Sequence, residues 1–423
     1  MTESFLHYLW KMKLYDMQQL RTTNGEIVTV LKPGEHNSDS GPDFLNAKIR
    51  IGNTTWAGNI EIHVQSNEWN QHKHQHDAAY ENVILHVVYE NNAEVKTKKG
   101  SILPAMEVKG LFDKKLFQRY ESLQLSPQPI PCSNLISSVM DITINTWLQR
   151  VLIERLEEKT KFASALLDKN KGDWELTFYH LLARAFGTRL NAGTFHLTAE
   201  SLPLQVIAKN KKNKLILESL FLGCAGWLNN SFEDDYMQQL KSEFSFQQNK
   251  YHLIPVEKYH WKLLRIRPAS FPSLRLVQLA GLVHQSTHLF SKILETNKVS
   301  DLAKLFQSDC NEYWSTHYLP DKKVASHETS LSISFINLLL INTVIPIVFL
   351  YGKEKGDENI QSKAMNWLEE IPSENNFIIK NWKEARIKSK SAFDSQALLQ
   401  LRKFYCDKKL CLNCAIGHSI LKQ

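Results

Sequence analysis

The sequence predicts an α+β protein: a β-rich N-terminal domain with a small mixed sheet, then a larger, mostly α-helical domain ending in a cysteine cluster. Three observations carry this. Short β-leaning runs separated by Gly and Asn turn pairs fill the chain up to about residue 110. A segment holding three prolines, SLQLSPQPIPCS, occupies 122–133. Beyond about residue 140, apolar residues recur at helical spacing and strand signals almost vanish. The expected division is a β-rich domain over 1–121, a Pro-rich linker over 122–139, a helical domain over 140–400 and a Cys-rich segment over 401–423.

The opening MTESFLHYLWKMKLYD reads as an amphipathic helix with Phe5, Leu6, Leu9 and Trp10 on one face. It lacks the basic start and long apolar run of a signal peptide, so a cytoplasmic location is expected. Strands follow at Glu26–Leu31, 44–51, 55–64, 83–90 and 102–109, punctuated by Pro33-Gly34, Gly52-Asn53, Asn91-Asn92 and Lys99-Gly100. Helical patterns run over Thr146–Lys159, Trp174–Phe186, Leu215–Trp227, Leu274–Phe290 and Ile333–Leu350. The apolar stretch Ile333–Tyr351 is long enough to cross a bilayer. Asn337, Asn342 and Pro346 interrupt it, however, and no second span could pair with it. A buried core helix kinked near Pro346, with no membrane partner, is the expectation.

Composition excludes little. Hydrophobic content of 43% and charged content of 22% are ordinary for a globular chain of 423 residues. The net charge is +7, and Lys380–Gln423 holds ten Lys/Arg against three Asp/Glu. That basic tail is either a solvated face or a grip on nucleic acid. The six cysteines show no even spacing of a disulfide framework, which fits a reducing compartment.

Chemistry concentrates between Gly41 and Val88. Within WAGNIEIHV, strand alternation turns Asn59, Glu61 and His63 to one face. Asp43 stands at the mouth of the preceding run and His86 in the middle of a later one. Carboxylates and imidazoles gathered on adjacent strands suit a divalent metal. Between these strands, Trp69, His72, His76, Asp77 and Tyr80 form a polar and aromatic insertion, either stacking on bases or capping the sheet. Farther on, Arg265, Arg267 and Arg275 of RIRPASFPSLRL either clamp phosphates or satisfy the core of a structural loop.

The terminal Cys406, Cys411 and Cys414 have C-x4-C-x2-C spacing, with His418 four residues on. Three Cys and one His would make a closed Zn²⁺ site. The same spacing with a distant fourth cysteine, for which Cys132 is the candidate, would hold an iron–sulfur cluster. Three reduced thiols without metal are the plain alternative.

Pro42-Asp43 followed by Glu61-x-His63 resembles the signature of the PD-D/E-x-K nuclease superfamily. That resemblance implies that Asp43 and Glu61 hold Mg²⁺ or Mn²⁺ for phosphodiester hydrolysis, with nucleic acid as partner. His63 replaces the superfamily's Lys, so with His86 and His72, His74 or His76 nearby a Zn²⁺ or Mn²⁺ centre is equally admitted. The alternatives are a metal site of other chemistry and a non-catalytic binding or scaffold protein with a structural metal. Over nearly its whole length the chain resembles the bacterial domain-of-unknown-function family 2851. The resemblance rests on FLHYLWK, SGPDFLNAKI, GNIEIHV, HDAAYENVILHVVY, FGTRLNAGTF, RIRPASFPSLRL and the terminal cysteines.

Overall fold

Thr2 starts helix α1 (Glu3–Met12) by accepting the Phe5 N–H, and a left-handed Lys13 ends it. Its apolar face buries Phe5, Leu6, Tyr8, Leu9 and Trp10, which leaves Glu3 and His7 one turn apart on another side. The computed structural model describes residues 1–286, 288–308 and 310–423. It divides into two compact units, one of Met1–Trp147 with Arg402–Gln423 and one of Leu148–Leu401.

The sheet of the first unit consists of β1 (Val28–Lys32), β2 (Glu35–His36), β3 (Phe44–Ile51), β4 (Thr54–Gln65), β5 (Val83–Glu90) and β6 (Ala105–Glu107). Its order is β1-β3-β4-β5-β6, with β2 also on β3. The β1, β3 and β4 pairings are antiparallel, whereas β4–β5 and β5–β6 are parallel, so the sheet is mixed. One face buries Ile60, Ile62, Leu85 and Val87 in a core shared with α1 and with α3 (Lys114–Leu125). The parallel crossover from β4 to β5 contains helix α2 (Glu68–Gln71) and two 3₁₀ turns. Gly58 is required where β4 meets this crossover, because a Cβ there would lie 2.6 Å from Asn82 O. The strand expected at 102–109 shortens to β6, since Pro104 has no N–H for a ladder. In the Pro-rich stretch, Ile130 and Ile136 are buried within the first unit.

The unit boundary falls inside α4 (Asp141–Lys169), and among the described residues the second unit is helical apart from a small hairpin, His317–Leu319 with Lys322–Lys323. Its apolar helix Ile333–Lys355 is mostly buried. The expected kink at Pro346 takes the form of a π-helical turn, Leu340–Val344. The proline ring cannot tolerate the Asn342 carbonyl in a regular helix, and the wider turn relieves that clash. Lys159 Nζ caps the loosened turn, donating to Ile341 O at 3.1 Å and Asn342 Oδ1 at 2.9 Å.

Burial lowers the Lys159 pKa to about 7. Between about 7 and the ordinary 10.5, the unfolded chain therefore holds a proton that the folded chain lacks, and stability rises with pH through that window. The slope is at most about 1.4 kcal/mol per pH unit and is reduced by solvent screening, since Lys159 is only half-buried. Lys159→Met should flatten the rise, as read from urea midpoints across the window; an unchanged slope would contradict the assignment.

Candidate metal centre

Pairing of Phe44 with Ile60 sets Asp43 beside Glu61, on the face opposite Ile60 and Ile62. The Asp43 N–H donates to Glu61 Oε2 at 3.2 Å, and Asp43 Oδ2 accepts the Ile62 N–H at 2.8 Å. A bulge at left-handed Asn46 creates this offset, and Asn59 Oδ1 pins it by accepting the Asn46 N–H at 3.3 Å. From α1, His7 Nε2 comes within 3.2 Å of Asp43 Oδ2. One ligand atom each from Glu3, His7 and Asp43 all lie within 4.8 Å of one another.

A second group adjoins the first. Glu61 Oε1 is 3.4 Å from His63 Nε2 and 3.3 Å from His74 Nε2. The imidazoles of His63, His72 and His74 offer ligand atoms mutually within 4.8 Å. Behind them, His63 Nδ1 and His86 Nε2 share a 2.8 Å hydrogen bond. For His63 to ligate through Nε2, its Nδ1 must carry the hydrogen and donate to His86. His86 is fully buried, so it positions His63 and has no open path to a substrate.

Burial and the neighbouring Asp43 charge push the Glu61 carboxyl up to about 9. Burial, then His74 and His72, pulls His63 down to about 3, and burial with His63 does the same for His86. Burial opposes protonation of His7, but its hydrogen bond to Asp43 and that carboxylate's charge carry it upward. A buried acid that resists ionising, facing neutral imidazoles, is a site lacking a positive charge, which a divalent cation would supply.

Of the two readings of Trp69 and Tyr80, stacking on bases and capping the sheet, their burial fits the cap. Trp69 is wholly enclosed and donates from Nε1 to Lys96 O at 3.2 Å. Tyr80 stacks on His74 at 3.9 Å, and Trp69 packs against His74 and His86. Both therefore hold the imidazoles in place. His72 joins the ligand group, whereas His76 is exposed and outside it. Asp77 caps the Ala78–Tyr80 turn through the Ala79 N–H. In the second unit, Arg265 and Arg267 are exposed. Arg275 is not available as a phosphate clamp: it is buried, 3.5 Å over the Phe335 ring, and donates to Gln278 Oε1 at 2.9 Å. Glu3 and His7 escaped the sequence reading, although their four-residue spacing on a predicted helix was a usable signal.

Cys132, Cys406, Cys411 and Cys414 all belong to the first unit and are unpaired. His418, the other expected ligand, donates from Nε2 to Leu412 O and packs its ring 5.1 Å from Tyr8. It lines a cavity of about 430 Å³ together with His7, His36, Lys11, Lys408 and Lys409.

These features define an α+β protein with a carboxylate–imidazole cluster on the polar face of a mixed sheet. Residues 3–377 match the family described as Protein of unknown function (DUF2851), and the chain belongs to that family. No curated protein and no solved structure matches it.

Proposed function

We propose that this protein is a metal-dependent phosphodiesterase of nuclease type, acting on nucleic acid in the cytoplasm. The observation that carries the reading is Asp43, immediately before β3, side by side with Glu61 of β4, with His63 two residues farther on. A bound Mg²⁺ or Mn²⁺ would neutralise phosphate charge and lower the pKa of an attacking water. Asp43 and Glu61 would hold it, with Glu3 and His7 flanking on one side and His72 and His74 on the other. His63, neutral and oriented by His86, would ligate or accept a proton from that water. The imidazoles favour Mn²⁺ over the harder Mg²⁺. The cavity next to His7 carries Lys11, Lys408 and Lys409, cations suited to a phosphate backbone. The six cysteines show no even spacing of a disulfide framework, in keeping with a reducing compartment.

The test is incubation of the purified full-length chain with single- and double-stranded DNA and RNA, with Mn²⁺ or Mg²⁺ present. Cleavage in Mn²⁺ that a chelator abolishes is expected. Failure to cut any member of the panel with either metal would overturn the reading.

A further inference from the structure

The cavity of about 430 Å³ beside His7 lies entirely within the first unit. Helix α1 forms one wall with His7 and Lys11, which four-residue spacing stacks on one side of the helix. The end of α3 contributes Gln124, β2 contributes His36, and the terminal segment contributes Lys408 and Lys409. Four separate stretches of chain therefore converge on one space. Two of these walls are bonded to each other. Gln124 Nε2 donates to Lys409 O at 2.9 Å, and Lys409 Nζ donates back to Gln124 O. Nearby on α3, Arg119 Nη1 donates to Leu421 O at 3.3 Å, so the terminal segment is held along the helix at two points.

The charge of the lining is one-sided. Three lysines are joined there by the imidazoles of His7, His36 and His418, and among the described residues that line the cavity none is acidic. The Lys409 amine bonds to a neutral carbonyl, and the Lys408 amine lies 5.3 Å over the Phe404 ring. Neither contact neutralises a charge, and the Lys409 amine keeps two hydrogens for a further acceptor. Cations gathered in this way repel one another, and an anion seated among them removes that cost. The cavity also adjoins the carboxylate pair, because His7 Nε2 is 3.2 Å from Asp43 Oδ2.

We propose that this cavity seats a phosphate monoester at the end of a nucleic-acid strand, so that cleavage begins beside a phosphorylated end. The inference rests on the nuclease reading of the adjoining metal centre. A backbone diester carries a single negative charge and continues into chain on both sides. A terminal monoester carries about 1.5 to 2 charges at neutral pH, offers three acceptor oxygens and continues on one side only. Three ammonium groups with three imidazoles exceed what one diester needs and suit the terminal group. The volume is in the range of sites that enclose a small organic ligand, which leaves room for one terminal nucleotide. His7, common to the cavity and to the Asp43 contact, sets the seated end next to the metal ligands.

The test measures binding apart from cleavage. Internally labelled linear single strands carry a terminal phosphate at the first nucleotide, at the last or at neither, and a circular strand has no end. Each is titrated with the full-length chain in the absence of divalent metal and followed by fluorescence anisotropy. One of the phosphorylated strands should bind about tenfold more tightly than the unphosphorylated and circular strands, the effect expected of added charge-assisted hydrogen bonds. Lys11→Ala combined with Lys408→Ala, both at exposed positions, should bring that ratio to within about twofold. Equal affinity for all the strands would overturn the inference, as would a ratio that survives in the double variant. A nucleoside monophosphate that binds as tightly as the phosphorylated strand would also overturn it, since the cavity would then take a free monoester. A chain that keeps the preference but cuts nothing upholds the phosphate seat and overturns the nuclease reading. A chain that cuts circular and linear strands alike upholds the nuclease reading and overturns the strand-end inference.

Discussion

Glu61→Gln should reduce Mn²⁺-dependent phosphodiester cleavage about a thousandfold or more while leaving the fold intact. The size follows from the several kcal/mol that a correctly held metal contributes to the transition state, at about 1.4 kcal/mol for each factor of ten. Glutamine keeps the volume and can still accept the Asp43 N–H through its carbonyl oxygen, but it cannot take up the negative charge that balances a cation. Because burial and Asp43 hold the metal-free Glu61 carboxyl protonated at neutral pH, a neutral amide costs the apo protein little stability. Cleavage that persists in the variant, with unchanged circular dichroism and melting, would mean that a different site or a contaminating enzyme does the cutting.

Trp69→Ala should be the most damaging single change to the sheet's polar face, destabilising the protein by about 3–5 kcal/mol. The indole is fully buried in a small cluster with Tyr80, Val83, Val95 and Leu103, and its Nε1 satisfies Lys96 O. Its loss leaves a cavity beneath His74 and His86 and an unpaired carbonyl. The same variant should bind Mn²⁺ more weakly, since two of the imidazoles lose the surface that orients them. Urea unfolding gives the first quantity and metal titration the second. A change in stability below about 1 kcal/mol would show that the crossover does not depend on the indole as described.

Much of the sheet was legible because its strands are governed by local pattern. The alternation of Phe44–Ile51 and the largely apolar run of Val83–Glu90 match β3 and β5 to the residue. Alternation within β4 also placed Glu61 and His63 on one face. What could not be read depends on tertiary packing. Glu3 and His7 reach Asp43 only because α1 docks its apolar face on the sheet, and helix periodicity does not reveal which strand end lies opposite. The choice of His74 over His76 rests on a left-handed Lys73 and the 3₁₀ turn after it, details below the resolution of spacing rules. Trp69 and Arg275 illustrate the same point: aromatic and cationic side chains near a polar cluster read as ligand-binding groups until burial shows them to be supports.

Under the proposed reading, Asp43 and Glu61 hold one divalent cation between the Glu3–His7–Asp43 group and the His63–His72–His74 group. Titration of Mn²⁺ into the metal-stripped full-length protein, followed by loss of the free-ion electron paramagnetic resonance signal, tests it most directly. Saturable binding is expected in the unaltered chain and should be lost in both Asp43→Asn and Glu61→Gln. Binding of undiminished affinity in both variants, or no binding to the unaltered chain, would contradict it.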